Sequence, residues 1–158
     1  MSRTGNTKKV AEAIYNMIPQ PKEIKRVEEA KSLEGYDLSF LGFPIHGSGP
    51  DKKAKTFLEK NVNARKIALF ITHMAPEDEP LLQEWIQKFK EAAVGANIIG
   101  VFNCQGQVSR LIKTLMRISP DSQIREWARL DSSHGKPDEE SLIRARAFAN
   151  EIMNKHKP

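Results

Sequence analysis

The sequence predicts a doubly wound α/β fold: a parallel sheet between two layers of helices, three layers in all. Three observations carry that reading. Short, nearly continuous apolar runs over residues 36–44, 66–72 and 97–104 alternate with segments whose apolar residues recur at helical spacing. Such runs belong to strands covered on both faces, where the polar–apolar alternation of a half-exposed strand is lost. The helical segments between them are long enough to be crossovers, which join parallel strands. At 158 residues the chain has the size of a single domain, 1–158, and can bury a core without disulfides or metals.

The first helix is expected over residues 7–18, with Val10, Ala11, Ile14, Met17 and Ile18 on one face and Pro19 and Pro21 ending it. Residues 23–27 alternate weakly and are expected to form a short edge strand. Residues 36–44 form a buried strand bounded by Pro44, and the glycine-rich stretch after it is a loop. Helical spacing returns over 51–60 through Ala54, Phe57 and Leu58. The strand at 66–72 contains Ile67, Ala68, Leu69, Phe70 and Ile71, and a helix over 77–94 follows, with Leu82, Trp85, Ile86, Phe89 and Ala93 on one stripe. Gly95 stands where a C-cap glycine belongs.

After the strand at 97–104, Val108, Leu111, Ile112, Leu115 and Met116 predict an amphipathic helix in a basic segment. Arg110, Lys113, Arg117, Arg125 and Arg129 stand there against Asp121 and Glu126. Residues 132–137 break the chain. The last helix covers 138–154, with Asp138, Glu139 and Glu140 at its positive end, Lys155 and Lys157 at its negative end, and Leu142, Ile143, Ala147 and Ile152 inward.

Composition sets bounds on function. With 39% hydrophobic and 28% charged residues the chain reads as an ordinary globular protein. It holds no apolar run of about 18 residues and no signal-peptide pattern, so the default expectation is cytoplasmic. Cys104, the single cysteine, excludes an internal disulfide or a cysteine-based metal cluster within one chain, and it reads as a small buried apolar residue. No metal ligand and no catalytic residue is assigned. A net charge of +5 and a pI near 9.4 permit an acidic partner, an anionic cofactor or an anionic membrane surface; no nucleic-acid partner is expected.

The stretch Ser2-Arg3-Thr4-Gly5-Asn6-Thr7 concentrates hydroxyl and amide side chains around one glycine directly before a helix. Backbone N–H groups and the positive helix end can converge there on one anion. An ordinary N-cap is the alternative that these six residues alone leave open. Together with Tyr36-Asp37 leading an apolar strand into Gly42-Phe43-Pro44-Ile45-His46-Gly47, the motif resembles the flavodoxin family, and the likeness extends over nearly the whole chain in element order.

The resemblance implies a flavodoxin-like sandwich with sheet order 2-1-3-4-5, ligand chemistry at the carboxyl ends of the strands, and FMN as cofactor. Ser2, Arg3, Thr4, Gly5, Asn6 and Thr7 would then hold the phosphate, with Gly5 giving the close approach or positive φ that a nest of N–H groups needs. Pro44, Ile45, His46, Gly47, Ser48 and Gly49 would pack against the flavin ring. Flavodoxins usually offer Trp or Tyr there; His46 stacks less surface but can donate a hydrogen bond. Thr72, His73 and Met74 match the loop that covers the other side of the ring, and Cys104, Gln105 and Gly106 match backbone contacts to it.

In the family an apolar strand precedes the phosphate loop, whereas Met1 directly precedes Ser2 here. Strand 1 is thus expected to be absent or truncated, and a fuller gene product is expected to supply it. Losing about six buried apolar side chains would cost on the order of 10 kcal/mol, against roughly 5–15 kcal/mol for a whole domain. The implied function is electron transfer between redox partners, with an acidic partner protein or peripheral membrane contact through the basic 107–130 segment. The charge balance is more positive than is common among flavodoxins, which is expected to raise the potential of the bound flavin. Residues 112–119 also resemble menaquinone-dependent protoporphyrinogen oxidases, which makes an FMN-dependent oxidoreductase acting with a quinone the alternative. The sequence leaves the oligomeric state open.

Overall fold

A computed structural model describes residues 4–130 and 132–156. Nine elements follow in order: α1 (Asn6–Met17), β1 (Ser39–Pro44), α2 (Lys52–Asn61), β2 (Lys66–His73), α3 (Leu82–Ala92), β3 (Asn97–Gln105), α4 (Arg110–Arg117), α5 (Ser122–Leu130) and α6 (Glu139–His156). The strands form a parallel sheet in the order β1-β2-β3, with Ser39 opposite Ile67 and Lys66 opposite Asn97. They are strands 3, 4 and 5 of the expected order. Among the described residues no helix is long and apolar enough to cross a membrane.

Period-two side-chain alternation divides the sheet between two cores. On one face Leu41, Phe43, Ile67, Leu69 and Ile71 meet Phe57 and Leu58 of α2 and Leu82, Ile86 and Phe89 of α3. On the other, Phe70 and Cys104 meet Val10 and Ile14 of α1 and Ala145 and Ala149 of α6. Phe148 of α6 stacks on Phe102 at 5.6 Å and meets Phe40 edge-on at 6.2 Å. Each fully buried Ile, Leu or Phe contributes about 1.5–3 kcal/mol of transfer free energy. Two glycines make this face possible: the Phe70 ring lies across Gly42, and Ile152 and Phe148 press onto Gly100.

Several elements differ from the sequence reading. Residues 23–27 are not a strand. A strand there needs a neighbour to complete its ladder, and none lies beside β1 among the described residues. The segment is instead held by Val27, Ala30 and Leu33 packing on the larger core. Strand β1 starts at Ser39 rather than Tyr36, which is exposed. Helix α3 starts at Leu82, because residues 76–82 are spent on turns in which Glu79 N–H donates to the Pro76 carbonyl and Leu82 N–H to that of Glu79. The basic segment forms two helices, α4 and α5, where the spacing predicted one. In α6 the small Ser141, Ala145 and Ala149 face inward with Ile152, while Ile143 and Ala147 point to solvent. The phenylalanines already fill that layer, so only small side chains let the helix approach.

Candidate functional site

All the loops singled out in the sequence gather where the parallel strands end. Helix α1 opens from Gly5 in the left-handed region, φ 77°, and its first backbone bond runs from Lys9 N–H to the Gly5 carbonyl. Gly5 at the N-cap has no side chain to cap this end, and the first turn carries no acid. The early N–H groups and the positive end of the helix therefore meet no carboxylate from that first turn. A Cβ on Gly5 would meet nothing within 4 Å, so the space over the turn is open.

Cross-links fix this turn to its neighbours. Thr7 Oγ1 lies 2.7 Å from Thr72 Oγ1, and Asn6 Nδ2 donates to the Gln107 carbonyl at 3.0 Å. Asn6 is buried, and its side chain fills the space that a Cβ on Gly106 would occupy. Ile45 N–H donates to the Thr72 carbonyl and Gly106 N–H to the His73 carbonyl, both at 2.8 Å. Four chain segments far apart in sequence thus form one connected rim.

Residues 44–49 form a tight turn closed by His46 N–H donating to the Gly49 carbonyl at 3.0 Å, with Gly47 at φ 65°. His46, Gly47 and Ser48 are exposed. The Ile45 side chain is in the core and Gly49 is buried against Lys88. Pro44 ends β1 at partial burial. His46 Nε2 stands 3.9 Å from the Asp51 carboxylate, and that same carboxylate caps α2 through Ala54 N–H at 2.8 Å.

In the next loop only Met74 is exposed; Thr72 is buried and its hydroxyl is taken by Thr7. The His73 side chain turns into the protein, with Nδ1 2.9 Å from the Ala75 carbonyl and Nε2 3.1 Å from Asn103 Oδ1. Burial pushes its pKa down, opposed by those two hydrogen bonds and by Glu77. Stability should therefore carry a His73 contribution that is complete above about pH 6.5, the unfolded value. It is lost as pH falls from there toward the lower folded pKa, because the unfolded chain binds the proton first. Urea midpoints measured from pH 8 down to pH 5 should show that slope, and His73→Gln should flatten it.

Cys104 is fully buried and desolvation pushes its thiol up to about 12, so the sulfur is inert at neutral pH. Gln105 is also buried; its amide donates to the Met74 carbonyl at 3.1 Å and to Ser132 Oγ at 3.0 Å. Gly106 brings its backbone to the rim, and Thr4 is exposed at the mouth. Ser2 and Arg3 lie outside the described residues. Sequence reasoning missed the residues that brace the rim: Asn103 behind His73, Gln107 under Asn6, and Glu77. The Glu77 carboxylate takes Arg144 Nη2 at 2.6 and 2.8 Å and Gln105 N–H at 3.4 Å. These links join distant segments and leave no local pattern.

The parallel α/β architecture agrees with what the chain is similar to. Residues 1–150 match the flavodoxin domain family. A curated relative, the flavodoxin-like domain-containing protein BilS of Clostridioides difficile (strain CD3), is 36% identical over an alignment covering 98% of this chain and 93% of the relative. The chain belongs to the flavodoxin domain family.

Proposed function

We propose that the protein binds FMN at this rim and carries electrons between redox partners in the cytoplasm, one of them an acidic protein. The observation that carries the reading is the acid-free first turn of α1 at an open Gly5, cross-linked to Thr72 and Gln107 in two of the loops that would border a flavin. Side chains and backbone fit the group. A phosphate monoester asks for several fixed donors, which the first turn of α1, Thr4 and Thr7 can present. A flat ring asks for adaptable walls, which the exposed turn at His46, Gly47 and Ser48 and the exposed Met74 can offer.

When bound, FMN would supply the one- and two-electron chemistry. The chain's part is to bind, orient and shield it, and no side chain need act as acid or base on a second substrate. His46, exposed in that turn, would donate a hydrogen bond toward the ring, with the Asp51 carboxylate 3.9 Å from its Nε2. Mixing the chain with FMN should quench flavin fluorescence at one FMN per chain, with a dissociation constant of micromolar or tighter, about −8 kcal/mol. A redox titration of that complex should give a second-step potential less negative than an acidic surface would impose. Failure to quench at about a hundred micromolar FMN would remove the cofactor reading.

A further inference from the structure

Helix α4 carries its apolar side outward. Leu111, Leu115 and Ile118 fall at i, i+4 and i+7 and are 71%, 52% and 76% exposed, while Met116 is the residue that α4 buries. A helix that served only to cover the core would show the reverse. The helix is preformed: Ser109 Oγ caps it by accepting from Ile112 N–H at 3.3 Å, and it packs along α5. Arg110 and Arg117 lie beside the apolar stripe on the helical wheel, both exposed, and neither forms an ion pair among the described residues. From 110 to 130, five basic residues (Arg110, Lys113, Arg117, Arg125, Arg129) against two acidic ones (Asp121, Glu126) leave a net +3.

We propose that the outer face of α4 docks on an anionic lipid bilayer. Charge complementarity selects an anionic occupant, and a second copy of this chain would bring two positive faces together. Between a protein and a bilayer, the side-chain chemistry decides. Protein interface cores draw on Tyr, Trp, Phe and Met, and leucine is under-represented among their hot spots. This face is leucine and isoleucine with arginine at its border. A two-turn helix about 12 Å long also presents far less than the roughly 800 Å² per side of a stable protein interface. A bilayer needs neither shape complementarity nor area: aliphatic side chains enter the acyl boundary while the guanidinium groups stay with the headgroups. Met74 is tied to the segment after α5 through Gln105 and Ser132, so docking would hold the rim described above close to the lipid surface. The proposal rests on no cofactor, and its test reads no flavin.

Co-sedimentation of the full chain with vesicles of phosphatidylglycerol and phosphatidylcholine, compared with phosphatidylcholine alone, tests it. Binding should appear only with the anionic lipid and weaken severalfold as salt rises to about 0.5 M. The triple variant Leu111→Ser, Leu115→Ser, Ile118→Ser should lose roughly a hundredfold in partitioning, with an unchanged circular-dichroism melt because these side chains are exposed. Should the triple variant melt early, Ile118→Ser alone should still lose several-fold. Arg110→Gln with Arg117→Gln should weaken binding and flatten its salt dependence. No binding to anionic vesicles at low salt, equal binding to neutral ones, or triple-variant binding like that of the parent overturns the proposal.

Discussion

Replacing Gly42 with alanine is expected to lower stability by about 2–3 kcal/mol, a large share of a small domain's margin. Gly42 pairs with Phe70 across β1 and β2, and the Phe70 ring lies over it. An added Cβ would overlap the ring edge; the farthest of the three nearest ring atoms, Cε1, would be only 2.8 Å away. Two effects oppose each other. Alanine is the better strand residue by about 0.5–1 kcal/mol, since it loses less backbone entropy. The clash outweighs this gain because Phe70 has no room to retreat: it is buried against Val10, Ile14, Cys104 and Ala145. Urea unfolding should show a lower midpoint at unchanged slope. Gly42→Ala combined with Phe70→Leu should be less destabilised than the sum of the two single changes, because the smaller side chain vacates the contested space. Additive effects would mean that the ring is not the obstacle.

The sheet was legible in the sequence because parallel strands buried on both faces read as unbroken apolar runs, and β2 and β3 fall within a residue of the predicted bounds. The opening of α1 was equally legible, since Gly5, Asn6 and Thr7 are a local signal. What failed depended on partners. Residues 23–27 carry weak alternation, but strand formation is decided by a neighbouring strand and not by the segment itself. Helix α5 offers only Ile124, Trp127 and Ala128 as inward apolar residues, and its support comes from α4 and from Trp85, whose ring meets Trp127 edge-on at 6.3 Å. The placing of His73 follows a local pattern as well. Ile67, Leu69 and Ile71 share a face, and extending that alternation by one step puts His73 on the same buried face. The rim's side-chain braces could not be read locally, since Glu77 and Arg144 stand 67 residues apart.

The change expected to act most directly on the proposed cofactor site is Gly106→Ala. A Cβ there would press on the Asn6 side chain, reaching 2.7 Å from Cγ and 2.9 Å from Cβ, with Nδ2 closer still. Because Asn6 Cβ is one bond from the backbone, rotating the amide away does not relieve the contact. Asn6 is also the first residue of α1, so displacing it moves the turn that would hold the phosphate and breaks its bond to the Gln107 carbonyl. Misplacing two donors to a charged phosphate costs about 1.5–3 kcal/mol each, and each 1.4 kcal/mol is tenfold in affinity. FMN affinity should therefore fall roughly a hundredfold or more. Global stability should drop by only about 1–2 kcal/mol, because the clash lies at the sheet's end and not within either core. Fluorescence titration measures the first quantity and urea unfolding the second. Adding Asn6→Ala to Gly106→Ala removes the two closest atoms, Nδ2 and Cγ, and leaves only the Cβ contact at 2.9 Å, so the double variant should melt somewhat higher than Gly106→Ala alone while still binding FMN poorly. A Gly106→Ala protein that keeps parental FMN affinity would show that the Asn6 turn does not hold the phosphate, whatever else the rim binds.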